Sequence, residues 1–149
     1  MTDVAFHTGV PDLVPHACRL LRKAVRSGVR IAVVGAPALL DALDAALWTF
    51  EPLEFIPHLS SPGGAANAAR LARTPVVLVR DGGVEAGAFD VGLGIDPAQA
   101  LDVGAFARVI ELVGTAPAQQ QSARQRWRAY AQAGSEPRHV AVGEPAANR

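Results

Sequence analysis

Residues 30–35 read Arg-Ile-Ala-Val-Val-Gly, a short apolar run rich in β-branched side chains and without polar alternation. A strand with no polar face must be covered on both sides, which marks a central strand of a parallel sheet. Helical spacing flanks it. Upstream, Leu13, Ala17, Leu20, Leu21, Ala24 and Val25 recur at steps of three and four, Gly28 supplies the stop, and Arg19, Arg22, Lys23 and Arg26 turn to water. Downstream, Pro37 suits a first helical turn, and residues 38–48 are helix formers up to the break at Pro52. Alternating strands and helices predict an α/β fold: a Rossmann-like, mostly parallel sheet with helices on both faces and right-handed crossovers.

The remaining segments fit that frame. Residues 3–7 alternate ahead of a Gly-Val-Pro turn and read as the opening strand. Residues 53–59, interrupted by Pro57, read as an edge strand or extended loop, and residues 60–66 as a mobile loop. Strands are expected over 75–80, 89–94 and 109–113, with 97–106 open between a short helix and a loop. Residues 118–133 tolerate helix throughout, follow Pro117 and stop at Gly134. A single domain over 1–134 and a flexible tail over 135–149 follow, because the tail contains Pro137, Gly143 and Pro145 and no periodic apolar set.

At 149 residues, half of them hydrophobic and 19% charged, the chain can bury one core unaided. Fourteen basic residues balance fourteen acidic ones, so the molecule as a whole lacks the positive field that drives contact with nucleic acid; any such role is local or indirect. No leader and no apolar run long enough to span a membrane is visible, which points to a cytoplasmic protein.

The chemistry of small-molecule enzymes is missing from the pattern. A dinucleotide site needs glycines in the turn after a strand, so that pyrophosphate can approach a helix N-terminus. The two candidate turns are Thr8-Gly9-Val10-Pro11 and Gly35-Ala36-Pro37, and Pro37 removes an amide that would cradle phosphate. There is no P-loop and thus no nucleotide-binding loop; Gly63-Gly64 and the pair Gly92 and Gly94 read as turns or flexible loop. His7, His16, His58 and His139 lack metal-ligand spacing, Ser60 and Ser61 beside His58 lack a nucleophile elbow, and Cys18 sits in a helical core pattern. Neither catalytic residues, nor a metal site, nor a cofactor is expected.

What stands out is residues 122–134, where Arg124, Arg126, Trp127, Arg128 and Tyr130 fall within seven positions. Helical geometry stacks Arg124 and Arg128 on one face with Trp127 at its border. Such a helix is either an ordinary amphipathic one with solvated arginines, or the wall of a pocket for a peptide ending in acidic residues, a large apolar side chain and a free carboxylate.

Two segments resemble the chi subunit family of bacterial DNA polymerase III holoenzyme. Residues 41–48, ending in Leu47-Trp48, followed by Phe55-Ile56-Pro57-His58, are similar to that family's helix ending in Leu-Trp and its Phe-x-Pro-His stretch. Arg124-x-Arg126-Trp127-Arg128-x-Tyr130 with Ala133-Gly134 is similar to its closing helix. Gln120 stands where a basic residue can occur, Trp127 stands in place of Tyr, and the chain after Gly134 departs. The resemblance implies a non-catalytic adaptor of the clamp-loader complex that binds the C-terminal tail of single-stranded-DNA-binding protein through Val113, Arg124, Trp127 and Arg128. It also implies pairing with the psi subunit, and through it the clamp loader, by Trp48, Phe55, Pro57 and His58, with DNA met only indirectly. The alternatives are a nucleotide- or cofactor-binding α/β enzyme, and a direct nucleic-acid binder using the Arg-rich helix.

Overall fold

A computed structural model describes residues 2–50, 56–61, 74–80 and 86–142. Seven strands form one sheet in which every neighbouring pair runs parallel: β1 (Asp3–Val10), β2 (Ile31–Gly35), β3 (His58–Ser61), β4 (Val76–Val79), β5 (Val91–Ile95), β6 (Arg108–Gly114) and β7 (Arg138–Ala141), in the order β3-β4-β2-β5-β6-β1-β7. Among the described residues the α-helices are α1 (Leu13–Arg26), α2 (Pro37–Thr49) and α3 (Pro117–Gln132).

The missing polar alternation in β2 has its cause in the packing. Ile31 and Val33 face one core, with Ala17, Cys18 and Leu21 of α1 and Leu40, Leu43 and Leu47 of α2. Ala32 faces the other, where Val4, Phe6, Val109 and Val113 of the sheet meet Ala123 and Tyr130 of α3 and Leu101 and Phe106 of the β5–β6 connection. Helices therefore cover both faces, as expected. Cys18 is a core thiol, and burial pushes its pKa up to about 11.

At five places the structure departs from the sequence reading or settles what it left open. β1 runs on to Val10, through a register shift after His7. Ser60 and Ser61, expected in a loop, complete β3, and the rest of that expected loop, residues 62–66, lies outside the described residues. Residues 97–106 carry a single 3-10 turn, Val103–Ala105, opened by the Asp102 carboxylate accepting from the Gly104 N–H at 2.9 Å. Gly92 and Gly94 lie inside β5, as the strand expected over 89–94 requires, and not in a turn or flexible loop: a Cβ at Gly92 would sit 2.7 Å from the Phe106 ring, and one at Gly94 2.8 Å from Glu111 Oε1. Finally, the tail expected to be flexible from 135 contains β7, paired with β1 from Ala5↔Arg138 to Thr8↔Ala141. Main-chain hydrogen bonds and a charge fork hold it rather than a periodic apolar set. Arg138 Nε and Nη2 each lie 2.9 Å from the Asp3 carboxylate, and Arg108 Nε lies 3.2 Å from it. Among the described residues no helix is long and apolar enough to cross a membrane.

Hydrogen bonds from Arg138, with the charges of Arg138 and Arg108, hold the Asp3 carboxyl below its usual range against some desolvation. A depressed carboxyl pKa contributes stability that is present above the unfolded value, about 3.9, and is lost as pH falls through the folded one. The Val142 amide, which donates to the Thr8 carbonyl at 2.9 Å just beyond β7, is therefore expected to lose protection relative to its intrinsic exchange rate below about pH 4, and Asp3→Asn to produce the same loosening at neutral pH; amide hydrogen exchange reads both.

Candidate functional site

α3 begins on Pro117, whose fixed φ suits a first turn and whose missing N–H costs nothing there. Ala123, Arg126 and Tyr130 are its buried residues, at steps of three and four, and this sets the helix's rotation on the sheet. Arg124 and Arg128 then stand one turn apart on the exposed side, and Trp127 lies half-buried between the two zones.

Arg126 is buried rather than solvated, 3% exposed against a Glu111 that is 0% exposed. Its Nε donates to both Glu111 carboxylate oxygens at 3.0 and 3.1 Å, and its Nη1 to the Pro97 carbonyl at 3.0 Å. The Tyr130 hydroxyl donates to Glu111 Oε2 at 2.8 Å and accepts from the Leu101 N–H at 2.8 Å. Burial pushes the Glu111 carboxyl upward, opposed by the Arg126 charge and the Tyr130 hydroxyl. Burial also raises the Tyr130 hydroxyl, which keeps its proton and so remains a donor. A guanidinium does not give up its proton in a protein, so the carboxylate facing Arg126 is its necessary counter-charge.

Above this network a cavity of about 570 Å³ opens between α3 and the β7 edge of the sheet. Phe6 and Thr8 of β1 and Val113 of β6 supply its floor; Ala123, Arg124, Trp127 and Arg128 of α3 supply one wall, with Gln120 at the rim. His139 of β7 closes the far side, its Nε2 hydrogen-bonded to Thr8 Oγ1. The Trp127 ring packs 5.1 Å from that of Phe6, centroid to centroid, and Phe6 meets Tyr130 edge-on at 5.8 Å. Two arginines line the cavity together with aromatic and aliphatic side chains, and no acidic side chain lines it. Chemically this suits an anion attached to an apolar group.

The structure thus brings Val113, Arg124, Trp127 and Arg128 together around one cavity. Sequence reasoning missed Phe6, Thr8 and His139, which reach it from the two ends of the chain. It also missed Glu111, although a carboxylate in the middle of the apolar run 109–113 is a signal for a buried counter-charge.

The second set lies elsewhere, at the end of α2. Trp48 is 59% exposed, so it is not a core residue, and its ring packs 4.7 Å from that of His58. His58 is buried; its Nδ1 lies 2.7 Å from the Ile56 carbonyl, and its Nε2 lies 3.1 Å from Asp44 Oδ1 without the alignment of a hydrogen bond. Pro57 is half-buried beside it, and Phe55 lies outside the described residues.

Removing one partner of the buried pair strands a charge, so Glu111→Ala is expected to cost roughly 3–5 kcal/mol, read from urea unfolding. The double replacement Glu111→Leu with Arg126→Met should cost far less than the two single changes summed.

The sequence model of the family described as "DNA polymerase III chi subunit, HolC" matches residues 1–138. The chain is 33% identical over 152 aligned residues to the "DNA polymerase III subunit chi" of Pseudomonas aeruginosa, covering 90% of this chain and 92% of that one.

Proposed function

The chain belongs to the DNA polymerase III chi subunit family, which makes it an accessory protein of DNA replication, and from that premise we propose that the cavity beside α3 receives the acidic C-terminal tail of a single-stranded-DNA-binding protein. The observation that carries this reading is that Arg124, Trp127 and Arg128 of α3 share one cavity with Phe6 and Val113 of the sheet, with no acid lining the space. A tail of acidic residues that ends in an aromatic residue offers carboxylates to the guanidiniums and a ring to the floor. Its terminal carboxylate distinguishes it from an internal acidic segment.

In the same reading the exposed Trp48, seated on His58, together with Pro57 and Phe55, forms the surface that pairs with the psi subunit and through it with the clamp loader. A large exposed aromatic on a buried support is the type of group that anchors a protein interface. The protein acts by binding and runs no reaction itself.

The alternative, a nucleotide- or cofactor-binding enzyme, would use the second cavity, about 480 Å³ above the carboxyl ends of β2 and β4. Arg80, its cationic group, is already committed: Nη1 to Asp41 Oδ1 at 2.6 Å and Nη2 to Ser60 Oγ at 3.3 Å. With Pro37 opening α2 and no side-chain cap at Ala36, little there is built to cradle a phosphate. Direct nucleic-acid binding through α3 is weakened too, because Arg126 is spent on Glu111.

Titration with an acidic, Phe-terminated peptide is expected to show Arg124→Ala and Arg128→Ala each weakening binding by roughly 1–3 kcal/mol without shifting the melting point. Amidating the peptide's C-terminus should weaken binding to the unaltered protein. Equal affinity for both variants and the unaltered chain refutes the reading. Trp48→Ala should weaken psi binding by about 2 kcal/mol or more while leaving the peptide titration unchanged.

A further inference from the structure

A net charge of zero conceals a segregated distribution. α1 carries His16, Arg19, Arg22, Lys23 and Arg26 and not one acidic residue. Beneath it, β1 alternates: Phe6 and Thr8 line the peptide cavity, while His7 lines two cavities of about 340 Å³ on the other side of the sheet. Those two cavities also share Leu20 and Lys23; His16 and Arg19 complete one, Arg108 the other, and no acidic side chain lines either.

Among the described residues Arg19 and Lys23 enter no ion pair. Arg108, which lines one of the cavities, is paired with the Asp3 carboxylate, and Asp3 also binds Arg138. The His7 and His16 rings stand 6.4 Å apart, edge to face. Burial pushes both imidazoles downward in pKa; the positive field of His16, Arg108 and Arg138 adds to this at His7, and that of Arg19 at His16. Arg19 and Lys23 line one cavity without an ion-pair partner among the described residues, so their charges repel one another, and an external anion relieves that repulsion.

We propose that the α1 face centred on His7, His16, Arg19 and Lys23 is a second binding site, which takes the phosphate backbone of single-stranded nucleic acid on the sheet face opposite the peptide cavity. From His16 to Lys23 the helix rises about 10 Å, the axial span of roughly three phosphates of one strand. The donors are one guanidinium, one ammonium and two imidazoles spread over two shallow cavities, a distribution that suits successive phosphates better than one carboxylate terminus. A subunit of a replication polymerase works beside such a strand.

The test is fluorescence anisotropy of a labelled polythymidine oligonucleotide against the full chain at low and moderate salt. The unaltered protein is expected to bind with a steep salt dependence. Arg19→Glu with Lys23→Glu should weaken binding by about tenfold or more and lower the salt slope by about two, with Arg19→Gln and Lys23→Gln intermediate and the melting point unchanged. Arg124→Ala should leave oligonucleotide binding intact, and the α1 variants should leave the acidic-peptide titration intact, so this site and the peptide site stand or fall separately. Absence of binding at low salt overturns the proposal, as does binding that the α1 substitutions do not weaken. So does a polyglutamate peptide that binds this face more tightly than the oligonucleotide, which would assign it to an acidic protein.

Discussion

The guanidinium of Arg126 and the carboxylate of Glu111, both withdrawn from water, fix which way the working face of this protein points. Glu111 sits on β6 in the middle of the sheet, and Arg126 can meet it only if α3 lies at one rotation. At that rotation Arg124 and Arg128 face out and Trp127 falls on the border. The same pair holds the β5–β6 connection, through the Pro97 carbonyl and through Tyr130 to the Leu101 N–H. Gly94 is what leaves room for the carboxylate. An apolar pair could supply comparable stability, but it could not demand one orientation with the same force, and a peptide site on a helix surface depends on orientation.

The β1–β7 edge then divides the protein's contacts by simple alternation. Phe6 and Thr8 serve one face, His7 the other, and β7 follows with His139 on the first and Val140 on the second. A single parallel edge thus borders an aromatic slot flanked by arginines on one side and a basic patch on the other. Both lack acids, while the acids that balance the total sit elsewhere, such as Asp41 and Asp44 on α2. Net charge describes the average molecule; a partner meets a face.

Much of this was legible in the sequence. The β-branched run of β2, the three-and-four spacing of α1 and the helix formers of α3 give an α/β fold directly, because each period can be satisfied in only one way. The arginines and Trp127 of the site were visible because they sit on one helix. What escaped was assembled across distance or by the main chain. Phe6 and His139 lie more than a hundred residues apart and meet only because β7 adds in parallel beside β1. β7 itself has four residues, no apolar stripe and a preceding proline, so nothing local announces it; its anchor is Asp3 at the other end of the chain. Gly92 and Gly94 read as flexible spacers because sequence does not reveal that Phe106 and Glu111 press against them. The patch on α1 looked like an ordinary solvated face, since the cavities that group its side chains with His7 and Arg108 appear only in three dimensions.

A structure of the protein with the tail peptide bound tests the central claim most directly. It should show the peptide's terminal carboxylate between Arg124 and Arg128 and its last ring lying on Val113 and Trp127, with Arg126 still joined to Glu111. A peptide found against Trp48, or along α1 with the cavity beside α3 empty, would contradict the account.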